Sequence, residues 1–203
     1  MPSRENTALA QSSSDLLAAV NHLEEECSHW SKENPPDSLE RAFNLCSMAR
    51  VVAQFSQGDL HSTEELCTQF QFFVEESTKV LTCLKSFIDR CPNHSRRVND
   101  FLTHLERFPV DLNSLAYCVN YISPASIPMI ERCLLETGTI LRSVTKSLCY
   151  MRSLSHQYAI NTDSNDSWPI STLCSPGCLP DSIAKQSATS GTLRRLTTAF
   201  EHL

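Results

Sequence analysis

Counted from Ile130, residues 134, 137, 141, 144, 148, 151, 155 and 158 fall three and four positions apart in alternation. They are Leu134, Thr137, Leu141, Val144, Leu148, Met151, Ser155 and Tyr158. That spacing keeps side chains on one face of an α-helix, so the stretch from Ser126 to Tyr158 is predicted to be one long amphipathic helix. Ser126 or Ile127 is its cap, with Pro128 in the first turn where a missing N–H costs nothing. Cys133, Ile140 and Leu154 widen the apolar face beyond a narrow zipper seam, which is expected of the closing helix of a bundle. Gly138 sits inside it and marks either a close contact with another helix or a mild kink.

Similar patterns precede it. Leu16, Val20, Leu23, Cys27 and Trp30 predict a helix capped by Ser14 and stopped by Pro35-Pro36, with Glu24, Glu25 and Glu26 mostly toward water. Asp37 and Glu40 resemble a capping box opening a second helix, apolar on a wide surface and closed near Gly58. Ser62 and Glu65 open a third, lined by Leu66, Phe70, Phe73, Ser77, Val80, Leu84 and Phe87 and ending near Arg90. Pro92 and Pro109 bound a shorter helix carrying Val98, Phe101, Leu102, Leu105 and Phe108. Asp111 then caps a separate three-turn helix with Leu112, Leu115, Val119 and Ile122, halted at Ser123-Pro124.

These six segments predict an all-α fold, an antiparallel helical bundle of about five to six helices over residues 14–160. Residues 1–13 are polar and small and are expected to be disordered. Residues 161–190 are rich in Ser, Thr, Asn, Asp and Pro and are expected to form a flexible linker. Residues 191–203 place Leu193, Leu196, Phe200 and Leu203 on one face of a short amphipathic helix able to dock in a groove.

Composition narrows the class further. Four glycines in 203 residues are far fewer than the usual ~7%, too few for a sheet protein with many tight turns. Lys and Arg number 17 against 23 Asp and Glu, a formal charge of −6, and the acids concentrate in the first ninety residues. No basic face suited to nucleic acid is expected. Neither a secretory signal nor an apolar run long enough to span a membrane is visible, so an intracellular setting is expected, cytoplasmic rather than nuclear. In that reducing setting most of the ten cysteines are expected to be buried thiols.

Chemistry is sparse. Cys174 and Cys178 are a weak metal-ligand pair, because a structural zinc site needs a second half-site and only His202 lies downstream. Cys27, His29, Cys91 and His94 form a weaker set still. The glycines stand alone, so no phosphate loop exists, and no G-x-S-x-G nucleophile elbow occurs. Glu64-Glu65 and Glu75-Glu76 are expected on solvated helix faces. No catalytic residue and no cofactor is nominated. Arg194-Arg195-Leu196-Thr197 places a hydroxyl two residues after a basic pair, which makes Thr197 a candidate phosphosite.

With long helices, few glycines and small or Cys residues inside, the chain is similar to the helical-bundle modules of cytoskeletal adaptors of the vinculin and catenin type. That resemblance lies at the level of fold and rests on no specific motif. The expected function is a non-enzymatic protein–protein interaction module, an adaptor, scaffold or regulator whose partners are other proteins, as a monomer or weak homo-oligomer. Two other readings stand beside it: a structural coiled-coil oligomer built on the 126–158 helix, and a ligand-binding bundle or enzyme with a pocket between helices.

Overall fold

Five helices carry the described chain: α1 (Arg4–Ser28), α2 (Asp37–Gln54), α3 (Thr63–Ile88), α4 (Arg96–Asn120) and α5 (Ile127–Tyr158). The computed structural model describes residues 4–30, 35–54, 63–91, 95–121 and 127–158, with no strand among them. None of these helices is long and apolar enough to cross a membrane.

Side-chain pairings set the directions. On α2 and α3, Arg41 bonds Glu76 while Asp37 and Ser38 share a cleft with Cys83 and Phe87, so the two helices run antiparallel. On α4 and α5, Arg97 meets Ser153, Phe101 stacks on Tyr150 and His104 meets Ser143, again antiparallel. α1 differs, because Leu16 lies near Leu134 and Gly138 while Glu26 bonds Arg152. It therefore runs parallel to α5 and forms the most extensive interface with it.

The core is one continuous apolar cluster. Each predicted stripe supplies it, from Leu16, Val20, Leu23 and Cys27 on α1 to Leu134, Leu141, Val144, Leu148 and Met151 on α5. On α3, Leu66, Phe70, Phe73, Val80, Leu84 and Phe87 are all fully enclosed. α5 packs against all four other helices. Its buried positions, from Ile130 to Leu154, sweep an arc of about 200° at 100° per residue.

Two expected boundaries are corrected. α1 begins at Arg4 rather than at Ser14, so residues 4–13, expected to be disordered, belong to a helix and Ser14 lies exposed inside it. The cap signal at Ser14 loses to tertiary burial. Ser12 and Ser13 are buried and Leu9 packs on the core, so continuing the helix covers α5. The second correction is Pro109, expected to end one helix and precede another. It lies inside a single α4, opened by Ser95, whose hydroxyl accepts from the Val98 N–H. An interior proline costs about 3 kcal/mol through the bond its nitrogen cannot give. Phe101, Leu105 and Phe108 before it and Leu112, Leu115 and Val119 after it are buried on one face, and their burial offsets that cost.

Smaller differences follow from the same packing. Phe43 on α2 and Phe72 on α3 are exposed. Asp37 is the first residue inside α2 rather than its cap, with the Leu39 N–H bonded to the Pro36 carbonyl at 2.8 Å. Gly58, Ser62, Ile122 and Ser126 lie outside the described residues.

Gly138 meets no other helix closely. A methyl group built there would approach only the Arg142 guanidinium, at 3.4 Å, an ordinary contact with the movable end of a side chain. Gly138→Ala is therefore expected to raise stability by about 0.5–1 kcal/mol through helix propensity. Urea unfolding checks this, and a loss of stability would show that α1 and α5 need the space.

Candidate interaction site

α4 is buried on one side, and the C-terminal half of its other side is apolar. Its core residues Phe101, Leu105, Phe108, Leu112, Leu115 and Val119 define the inner face. Half a turn around lie Val110, Ser114, Tyr117 and Tyr121, within about 60° of one another at 100° per residue. Val110 is 66% exposed, Tyr117 62% and Tyr121 59%, the three most exposed large apolar side chains among the described residues. The two tyrosine rings pack against each other at a tilt of 41°, with centroids 4.6 Å apart. Asn113 and Asn120 flank the stripe and are exposed.

The stripe itself is uncharged, and the charges that α5 brings near it, Arg132 and Glu136, which reach Cys118, are paired with each other. From Leu112 to Ile130 the sequence contains no Asp, Glu, Lys, Arg or His, the longest such run in the chain. Asp111, just before it, turns toward α5, where its carboxylate accepts from the Ser143 hydroxyl at 3.4 Å. Absence of charge together with exposed tyrosine is the composition that marks the centre of protein interfaces. The stripe was legible only once α4 was known to be continuous. With Pro109 read as a break, Val110 falls in a loop and the outer stripe loses its first member.

Charged groups elsewhere in the bundle act as clamps. Glu26 on α1 is buried and receives two bonds from the Arg152 guanidinium on α5, at 2.9 and 3.0 Å. Burial alone pushes its carboxyl up, but bonds from Arg152 and Cys149 and the nearby charges of Arg152 and His29 together hold it below the ordinary 4.5. Glu76 on α3 is also buried and accepts from Arg41 at 3.0 Å and Lys79 at 3.0 Å. Burial raises it and those two cations outweigh burial. Both acids were expected on solvated faces, so Glu26 and Glu76 are corrections, whereas Glu64, Glu65 and Glu75 are exposed. The physical reason is a basic partner on another helix, which sequence spacing does not reveal.

His104 is half-buried, with Nε2 3.0 Å from the Ser143 carbonyl. A carbonyl only accepts, so Nε2 carries the proton. Burial lowers its affinity for a second proton and the Lys146 charge adds to this, against a smaller opposing pull from the Ser143 carbonyl and Asp111.

Clefts open between helices among the described residues. One, of about 340 Å³, lies between α1 and α5 and is lined by Ser12, Asp15, Ala19, His22, Gly138 and Arg142 among others. Two of its polar groups are tied to their own helices, Asp15 accepting from Gln11 at 2.9 Å and Arg142 donating to Thr139 at 3.2 Å. Another, of about 220 Å³, is lined by Asp37, Ser38, Cys83, Phe87, Arg90 and Met151 among others. Neither brings a nucleophile to a base.

Among the described residues, no three His, Cys, Asp or Glu side chains are grouped to hold a metal ion. Cys27 and Cys91 are buried thiols, and the burial that dominates each pushes them up to about 12 and about 11. His94 lies outside the described residues, as do Cys174, Cys178, Thr197, Leu193, Leu196, Phe200 and Leu203. Compared with known protein families, the chain matches no family model.

Removing Arg152 alone strands a buried carboxylate. Arg152→Met is expected to cost about 2–4 kcal/mol, below the full value for an enclosed pair because the guanidinium is a third exposed. Glu26→Leu/Arg152→Met should recover most of that loss in urea unfolding; equal losses for single and double variants would show that packing, not charge, is at stake. The pair also sets a pH dependence. A native carboxyl held below its unfolded value contributes fully above about pH 5, and the contribution drains away as pH falls through 4.5 toward the native value. The unfolding midpoint of the native chain is expected to fall more steeply between pH 5 and pH 3 than that of the double variant; parallel curves would remove Glu26 from the account.

Proposed function

We propose that this chain is a non-enzymatic protein–protein interaction module of the adaptor or scaffold kind, engaging its partner through the outer face of α4. One observation carries the reading: Val110, Tyr117 and Tyr121 project from one helix face into solvent beside the longest charge-free run of the sequence. Exposing three large apolar groups on a rigid helix has a cost in solubility, and partner binding is what such a face is used for. Tyrosine suits the role, since it brings large contact area with little side-chain entropy to lose.

The thiols support an intracellular, reducing setting. All eight described cysteines are free, and Cys27, Cys46, Cys91, Cys118 and Cys133 are buried. The heptad stripe of α5 favours a bundle over a zipper built on that helix, because Leu134, Thr137, Leu141, Val144, Leu148 and Met151 are already spent inside the molecule.

Tyr117→Glu/Tyr121→Glu tests the assignment. Both side chains are exposed, so the variant is expected to keep the helical signal and melt within a few degrees of the parent. Proximity labelling in the native cell should lose the parent's prominent partners. An unchanged partner set would remove α4 from the function.

A further inference from the structure

We propose that the partner of the α4 face is a second copy of this chain, docked about a two-fold axis with the two α4 helices antiparallel. This rests on the reading of α4 as the interaction face and names what covers it. The argument begins with spacing. Val110, Ser114, Tyr117 and Tyr121 are four, three and four residues apart, an order that is the same from either end. Turning one α4 end over end onto another therefore keeps the stripe in register. Val110 then lies against the partner's Tyr121, and Ser114 against the partner's Tyr117.

Size completes the match. The small residues occupy the first half of the stripe and the rings occupy the second half. A two-fold axis between Ser114 and Tyr117 sets each ring over a small residue, and sets no ring over a ring. A parallel pairing would instead stack Tyr117 on Tyr117 and leave Val110 facing Val110 across a gap. Large against small is what lets helices approach to packing distance. Isologous pairing also requires that one surface be complementary to itself, and this stripe meets that condition without any rearrangement.

Charge points to the same occupant. The chain carries −6, so two copies repel wherever acids face acids. The run from Leu112 to Ile130 is where no such repulsion arises. Asn113 and Asn120 flank the stripe on one side, exposed and neutral, and their amides can donate and accept across the seam. A partner chosen by charge would have left an unpaired charge beside the tyrosines, whereas the run has none and the nearby Arg132 and Glu136 of α5 neutralise each other. One helix laid on one helix is a small interface, so a dissociation constant on the order of tens of micromolar is expected.

Sedimentation velocity on the full chain, in reducing buffer from about 1 to about 200 µM, brackets that constant. The mass is expected to climb from that of the 22.8 kDa monomer toward twice that value. Val110→Glu alone and Tyr121→Arg alone should each weaken association by about tenfold or more. Val110→Glu/Tyr121→Arg in one chain should restore it, because the antiparallel register brings each new glutamate to the partner's new arginine. Circular dichroism of each variant confirms that the exposed substitutions leave the helices intact. A wild type that stays monomeric throughout overturns self-pairing, as does a dimer that survives both single substitutions, or a double variant that is no better than the singles. If the wild type is monomeric and Tyr117→Glu/Tyr121→Glu still strips the labelled partners, only self-pairing fails. If that variant changes nothing, the α4 reading falls with it.

Discussion

Everything in this molecule leans on α5 being buried over more than half its circumference. A helix that touches all four others cannot be moved without disturbing every interface at once. Its apolar stripe explains part of that burial, but Thr137, Thr145 and Ser147 lie in the core too. They are tolerated because each hydroxyl donates to the carbonyl four residues back, at 2.7, 2.9 and 2.8 Å, so none of these three is stranded. Small hydroxyl residues keep α5 slim on those sides and let neighbouring helices come close. The parallel run of α1 beside it, rather than the antiparallel run of chain neighbours, follows from the number of helices: when five alternate in direction, the first and last point the same way.

The ion pairs refine that arrangement without driving it. Burying a carboxylate is expensive, and a matched guanidinium roughly offsets the expense. Glu26 with Arg152 ties the ends of α1 and α5, and Glu76 with Arg41 ties α2 to α3. What such pairs add is register, since a helix slid by one turn would leave an unpaired charge in the core. Arg50 bonded to Glu24 at 2.6 Å holds α2 against α1 in the same manner at the surface, where solvent makes each pair worth little.

α4 shows how a helix can serve two masters. Its inner face is ordinary core, and that burial carries the chain straight through Pro109. Its outer face carries Arg96, Glu106 and Arg107 along the first half and turns apolar and uncharged from Val110 onward. Aromatic contacts fix the orientation: Phe101 stacks on Tyr150 at 5.3 Å, and the Arg97 guanidinium donates to the Ser153 hydroxyl at 3.0 Å. With the inner face anchored this way, the Tyr117 and Tyr121 rings are held out on a rigid support rather than on a loop.

The periodicity of apolar residues by itself determined the all-α class, the inner faces of α1, α3 and α5, and most of their extent, because an amphipathic stripe has only one economical way to meet water. It did not determine where α1 starts or that α4 is unbroken. A cap at Ser14 and a proline at 109 are local preferences of a few kcal/mol at most, and burial of Ser12, Ser13, Phe108 and Leu112 against helices distant in sequence outweighs them. Nor could spacing reveal that Glu26 and Glu76 are buried, since their partners come from other helices. The outer face of α4 was half legible, in the charge-free run after Asp111. That Val110, Ser114, Tyr117 and Tyr121 share one outward-facing stripe was decided only by tertiary structure, which kept the helix continuous and turned its other side to the core.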